Sequence, residues 1–427
     1  MTDRRLARGV GAAKVLVRKH KPDYRIALYM GLLMLLGLVV MYAIGPQRAQ
    51  VLNSAYGTDF YTATYFFGKQ AISLLFALAV FVVVSKIPIS WWQANAKKLF
   101  IGGVAASAIL AVGGWLGLGF VQCSLGACRW FDLGPLGSLQ PAEFLKFGLL
   151  LFGASFLAYR AKQGIINDVY KTLIPLAAIL AVVAIFVIGI QADMGTGLVM
   201  LAMITCMLIV SGVNIRVGAA MMAGLVALGL FMIVIAPHRI ARVTTFLQGD
   251  TADVSDAGAY HIAHAKIAIG SGGFTGVGIG NSVQATGYLP EAINDSVFAI
   301  MGETFGFIGL VLVLLLFCAL LLGLLKTAER LRGMHEKLIV VGVFGWLGAH
   351  VILNVAAMTG VFPLTGITLP LLSFGGTSMV FIAGALGLAF QLSSYTVHST
   401  VSEGEHYEDS HGRRGLGRPR YASRSRM

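Results

Sequence analysis

Long apolar runs separated by short polar connections dominate this chain. Crossing the hydrocarbon layer of a bilayer takes roughly 20 apolar residues per helix. Runs of that kind predict helices near 25–45, 69–87, 99–118, 142–159, 173–190, 195–211, 217–236, 296–325, 338–358 and 373–393. The fold class this implies is an all-α polytopic membrane protein of about ten transmembrane helices, forming one membrane domain over 25–395. The longest stretch expected to lack helix, 237–295, joins the seventh and eighth spans. A connection of that length is seldom idle in a compact protein.

Composition agrees with the pattern: 57% of the 427 residues are hydrophobic and 12% charged, whereas a soluble domain carries about 25% charged residues. Charge then orients the bundle. With the N-terminus inside, most Lys and Arg fall in cytoplasmic segments. The exceptions are Arg48, Lys69, Arg129, Lys146, Arg239, Arg242 and Lys266. That asymmetry, with an even helix number, predicts both termini on the cytoplasmic side and the 237–295 loop outside. The net charge of +13 is therefore a topological signal, and no nucleic-acid partner is implied. The polar tails, 1–24 and 396–427, are expected to be disordered and weakly attracted to anionic lipid headgroups. No cleavable signal peptide is visible, so the first helix is expected to act as an uncleaved anchor. Cys206 and Cys318 lie in apolar helices as packing residues. Cys123 and Cys128, in an outer loop, are placed to form a small disulfide ring in an oxidising compartment, and the loop offers too few ligands for a metal.

Acidic residues are the informative class in such a chain, because an ionised carboxylate within the bilayer costs at least ~2.5 kcal/mol unless paired or hydrated. Asp59, Asp132, Glu143, Asp193, Asp250, Asp253, Asp256, Glu291, Asp295 and Glu303 fall on the outer half. Glu143 and Lys146, three apart, share a helix face, either as a self-neutralising pair or as one wall of an outward-open cavity. Asp193 opens the sixth helix, where it serves as an N-cap or as a cavity residue. At the start of the eighth helix Asn294 or Asp295 is placed to serve as a cap, or Asp295 serves as a functional carboxylate at the cavity mouth. Glu303, two turns deeper, needs a partner, and a basic cavity residue is the natural one. The glycine run Gly270–Gly280 lacks the preceding strand and the spacing of a dinucleotide fingerprint, and is expected to be flexible backbone near a membrane-embedded substrate. His261 and His264 are expected to hydrogen-bond in a polar loop rather than to ligate metal. A P-loop, HExxH or GxSxG motif is absent.

Four blocks, in order, carry a family resemblance. They are Arg129-Trp130-Phe131-Asp132 with Gln140-Pro141-Ala142-Glu143 and Lys146; Gln191-Ala192-Asp193-Met194-Gly195-Thr196; Tyr260 through Ala268-Ile269-Gly270-Ser271-Gly272-Gly273 to Leu289-Pro290-Glu291 and Asp295; and Pro363-Leu364-Thr365-Gly366-Ile367-Thr368-Leu369-Pro370 continuing into Ser373-Phe374-Gly375-Gly376. Together they resemble the SEDS family of cell-wall polymerases typified by FtsW, RodA and SpoVE. The likeness runs from the first helix to the tenth. Ala142, Ala192 and Phe374 stand where the family usually has Ser, Pro and Tyr, while Asn294 and Ser296 replace its usual Thr and Phe. Some blocks look like RodA and others like FtsW, with a lean to a division role.

The resemblance implies polymerisation of lipid II at the outer leaflet of a bacterial cytoplasmic membrane. The acceptor's sugar 4-hydroxyl attacks the anomeric carbon and expels undecaprenyl pyrophosphate, an inverting step for which one general base suffices. Asp295 is the chosen base. The pyrophosphate needs positive charge, from Arg129, Arg242, Lys146 and Lys266 or from a divalent ion such as Mg or Mn. Gln140, Asp193 and Ser373 line the substrate cavity, with Glu143 and Glu303 holding its charge network. A class B penicillin-binding protein and other divisome or elongasome proteins are the implied partners. A lipid II flippase and a non-catalytic divisome scaffold stay open as alternatives.

Overall fold

The computed structural model describes residues 21–124, 127–134, 137–234, 237–248 and 257–395. Almost all of the two polar tails therefore lies outside the described residues, as do Asp250, Asp253 and Asp256. The elements in chain order are α1 (Tyr24–Tyr56), α2 (Tyr65–Lys86), α3 (Ile89–Trp115), β1 (Val121–Ser124), β2 (Ala127–Asp132), β3 (Ser138–Leu139), α4 (Pro141–Lys162), α5 (Val169–Ile190) and α6 (Met194–Ser211). They continue with α7 (Ile215–Val234), α8 (Pro237–Gln248), α9 (Ala257–Ser271), α10 (Val297–Arg330), α11 (Met334–Met358) and α12 (Gly376–Ser393). Among the described residues, nine helices are long and apolar enough to cross a membrane. The expected seventh span is α7, whose described apolar part, Ile215–Phe231, is shorter.

Helix ends follow local chemistry. Asp23 caps α1 by accepting the Arg25 N–H at 3.0 Å, and Gly57 ends it in the left-handed region (φ 61°) with its N–H on the Asn53 carbonyl. Pro46 lies inside α1 without ending it, so the helix overruns the expected boundary at 45. Along α1 the exposed apolar residues Leu28, Leu32, Leu35, Val39 and Tyr42 form one stripe, and the buried Met30, Leu33, Gly37, Met41 and Ile44 form another. Lipid and protein interior are both apolar, so neither stripe needs polar residues. In the core α2 packs on α12, α3 on α4, and α11 on both α6 and α10.

Two features went unforeseen. A three-stranded antiparallel sheet, β1-β2-β3, crosses between α3 and α4; it sets Cys123 opposite Cys128, and the disulfide for which the sequence placed that pair is formed. The second is a correction: the stretch 237–295, expected to lack helix, contains α8, α9 and a short 3-10 turn at Gln284–Thr286. Helix α9 is too short and too mixed for a search tuned to membrane-length apolar runs. Its His261, Ala265 and Ala268 are buried at helical spacing, and α9 packs on α10.

The glycine run is not flexible backbone either. Helix α10 breaks at Gly306 (φ 66°, ψ −168°), freeing peptide groups on both sides of the break. The glycine segment takes them up: Val277 and Gly278 donate to the Glu303 and Thr304 carbonyls at 2.9 and 3.1 Å, while Phe307 and Ile308 donate to Gly273 and Phe274 at 2.9 and 3.1 Å. The backbones lie so close that a Cβ on Gly272 would collide with the Gly302 carbonyl oxygen. We expect Gly272→Ala to destabilise the protein by about 1–3 kcal/mol through overpacking. Gly270→Ala, which faces open space, should be close to neutral. Thermal midpoints in detergent check the pair, and equal midpoints would contradict the close-packed reading.

Candidate active site

The candidate residues collect at the end of the bundle that carries the β-sheet. Pro141 starts α4, and Glu143 and Lys146 follow in its first turns. Their ion pair measures 2.8 Å, with Lys146 fully buried and Glu143 3% exposed. Lys146 also reaches His350 Nε2 at 3.1 Å and stands 5.2 Å from the Trp346 ring centre. A lysine ammonium only donates, so His350 Nε2 accepts, and its Nδ1–H faces the Thr368 carbonyl at 3.3 Å. His350 is therefore held as one neutral tautomer. Glu143 Oε2 is buried with no hydrogen-bond partner among the described residues. In this conformation Lys146 is committed inside the bundle rather than turned toward an approaching pyrophosphate. Of the two sequence readings, the self-neutralising pair describes it, with His350 added.

Arg129 projects from β2 and donates through Nε and Nη2 to the Gln191 and Ala192 carbonyls at 3.1 and 2.8 Å. Those carbonyls end α5, where Ala192 turns left-handed (φ 54°). Asp193 caps α6, accepting the Thr196 N–H at 2.9 Å and the Thr196 hydroxyl at 2.8 Å. Gln140 donates to the same carboxylate at 3.0 Å, tying α4 to α6. Asp193 is thus a cap and a strut at once. At the sheet's far end Asp132 accepts from the Gly134 N–H at 2.8 Å and from Gln122 at 3.1 Å, which holds its carboxyl below the usual carboxylate range.

Asp295 sits in the turn before α10 and is 9% exposed. The turn is wound on Glu291, whose left-handed backbone (φ 51°) lets its carbonyl accept from Asn294 N at 2.9 Å and Ser296 N at 3.2 Å. The Asp295 carbonyl accepts from Asn354 of α11 at 2.7 Å. Gly366 (φ 68°) faces the carboxylate, and a Cβ there would lie 4.0 Å from Asp295 Oδ2. Asn294 and Asp295 both precede the N-cap position of α10. That position belongs to Ser296, whose side chain makes no cap bond.

Ser373 joins the same neighbourhood as a strut. Its hydroxyl accepts the Leu369 N–H at 2.8 Å and its carbonyl accepts Gln70 at 3.3 Å, while Phe374 N–H reaches the Ile293 carbonyl at 2.8 Å. Glu303 corrects another expectation. Its carboxylate accepts from the Ser282 hydroxyl, from Val283 N at 2.9 Å and from Gln284 N at 3.2 Å. Fixed backbone and hydroxyl donors, rather than a basic residue, satisfy this buried acid, and it anchors the loop after the glycine run. Lys266 is exposed, with its stem against Gly360. Arg242 lies on α8, with its side chain outside the described residues.

The two histidines of α9 point to different partners. His261 Nε2 lies 2.6 Å from the Ser296 hydroxyl, and His264 Nδ1 lies 2.8 Å from Gln284 Oε1. Sequence reasoning that tracked acids missed His350, Asn354 and Gln70. Buried amides and imidazoles in apolar helices are the signal that finds them. Among the described residues no three His, Cys, Asp or Glu side chains converge as a metal-binding group.

Removing one partner of a buried pair strands the other charge, at a cost of about 3–5 kcal/mol. Glu143→Gln is expected to lower the thermal midpoint sharply. Adding Lys146→Met should recover most of the loss, because no orphaned ammonium is left. A Glu143→Gln protein as stable as the parent would contradict this assignment.

Residues 24–398 match the profile of the FtsW/RodA/SpoVE family, described as cell cycle protein. The chain is 30% identical over 376 residues to a probable peptidoglycan glycosyltransferase FtsW of Nitrosomonas europaea, covering 87% of this chain and 93% of the relative. It is 32% identical over 386 residues to stage V sporulation protein E of Bacillus subtilis, covering 89% and 99%. A chain from a solved peptidoglycan synthase complex that coordinates polymerization and crosslinking superposes with a TM-score of 0.65 at 25% identity, covering 87% of this chain and 97% of that one. The rod shape determining protein RodA of Thermus thermophilus shares the fold, with a TM-score of 0.60 at 23% identity and coverage of 87% and 96%. A multi-pass helical bundle with these motifs at one end, matched over nearly its whole length, belongs to the FtsW/RodA/SpoVE family of membrane proteins.

Proposed function

We propose that this chain is a peptidoglycan glycosyltransferase that polymerises lipid II at the outer face of the bacterial cytoplasmic membrane. The positive-inside asymmetry supports placing the sheet-bearing end outside and both termini in the cytoplasm. The observation that carries the catalytic reading is the Asp295 turn. A carboxylate is held there beside a glycine and largely buried.

Asp295 takes the proton of the acceptor's sugar 4-hydroxyl as that oxygen bonds to the donor's anomeric carbon. The bond to undecaprenyl pyrophosphate breaks with inversion. A placed base of this kind contributes about 10²–10⁴-fold. The leaving group needs no proton, only positive charge. Arg129, Arg242 and Lys266 are the cations suited to that task. Lys146, enclosed with Glu143 and His350, supports the fold beneath them. Gln140, Asp193 and Ser373 fix the walls, and Glu303 fixes the loop that closes one side.

A class B penicillin-binding protein is the partner we infer, supported by the likeness to a chain of a peptidoglycan synthase complex. A lipid II flippase would use the same buried charges. The carboxylate beside Gly366 favours chemistry over transport.

The test is purified protein in detergent with labelled lipid II, scored for glycan strands. A polymerase makes strands without any vesicle, whereas a flippase or scaffold makes none. Asp295→Asn should lower the rate by about 10²–10⁴-fold with substrate binding retained. Polymerisation by Asp295→Asn at the parent rate would overturn the base assignment.

A further inference from the structure

We propose that His261 and Asn354 are positioning residues that hold the Asp295 turn from two sides. The inference rests on the reading of Asp295 as the base and names what sets its geometry. Asn354, 1% exposed on α11, donates both hydrogens of its amide, one to the Asp295 carbonyl and one to the Ile367 carbonyl, each at 2.7 Å. One side chain thus pins the base's own peptide to the segment that presents Gly366.

The second tether is one residue on. Ser296 has a single hydroxyl hydrogen, and it goes to the Pro290 carbonyl at 2.8 Å. Its oxygen is then the acceptor for His261, whose Nε2–H arrives from α9 at 2.6 Å. A serine at an N-cap position ordinarily turns its oxygen to the first free helix N–H groups, worth about 1 kcal/mol. Ser296 occupies that position and makes no such bond. Its hydroxyl closes the turn onto Pro290 and receives His261 instead. The aspartate therefore lies between two fixed points on different helices: its own carbonyl on α11 and the next residue's hydroxyl on α9.

A reacting group displaced by about 1 Å loses on the order of 10²-fold in rate with little change in affinity. The role thus predicts a split between kcat and KM. His261→Ala and Ser296→Ala should each lower kcat by about 10–100-fold and leave KM within about twofold. The double variant should be no worse than Ser296→Ala alone, because that change already removes the acceptor of His261. His261→Gln restores an N–H donor without a titrating ring and should recover most of kcat. Asn354→Ser, small and uncharged, should lower kcat in the same way.

Lipid II polymerisation by the full chain, with the thermal midpoint of each variant as the folding control, decides it. Additive losses, or a His261→Gln protein as slow as His261→Ala, would overturn the clamp while leaving the base assignment standing. Full activity of Asp295→Asn would instead remove the reading beneath it. Retained kcat in His261→Ala would overturn the His261 arm.

Discussion

A helix broken inside a bilayer must find hydrogen-bond partners for the peptide groups it frees, because lipid offers none. In this protein the break is at Gly306 of α10, and the partners are the backbone of Gly273, Phe274, Val277 and Gly278. Four backbone hydrogen bonds fasten the segment after α9 against α10, two on each side of the break. Glu303 continues the seam by accepting from Ser282, Val283 and Gln284. The consequence for function is positional. The short first half of α10 and the turn before it, which holds Asp295, are framed by α9 on one side and α11 on the other. A rigid frame of this kind is what a single general base requires.

Helix α11 links that frame to the buried charges of α4. Trp346, His350 and Asn354 recur every four residues and so line one face. They meet the Lys146 ammonium, the Thr368 carbonyl and the Asp295 carbonyl in turn. Two loops rich in proline and glycine, one before α10 and one before α12, are thereby tied to the most buried ion pair in the described residues. Gln70 adds a tie from α2 to the Ser373 carbonyl. The charged residues that drew notice in the sequence thus divide by task. Glu143, Lys146, Asp193 and Glu303 hold backbone and helices in place, while the Asp295 carboxylate stands beside Gly366 in the turn before α10.

Much of this was legible in the chain because the solvent is lipid. Apolar runs of membrane length marked the long helices, and acids inside them marked the end of the bundle that carries the β-sheet. The same criterion failed where length was short. Helix α9, with 15 residues, and the three strands carry no membrane-length signal, and they were read as loop. The glycine run was misjudged for a different reason. Glycine permits flexibility and close approach alike, and only the partner chain segment, here Gly302 to Gly306, decides between them. Partner choice was the least legible layer. Glu303 calls for a cation by its burial, whereas the structure gives it a hydroxyl and backbone N–H groups, and nothing in the local sequence marks Ser296 rather than Asp295 as the N-cap residue. Neutral polar residues in apolar helices, Asn354 above all, were the overlooked signal.

The account stands on Asp295 facing the side of the membrane where lipid-linked sugar is used, and one measurement tests that directly. Asn294, half-buried beside Asp295, is replaced by cysteine in a chain whose free Cys206 and Cys318 are changed to serine. Intact cells are then treated with a membrane-impermeant maleimide. The account predicts labelling at residue 294 from outside, before the membrane is permeabilised. Labelling only after the reagent gains entry to the cytoplasm would put Asp295 on the inner side and contradict it.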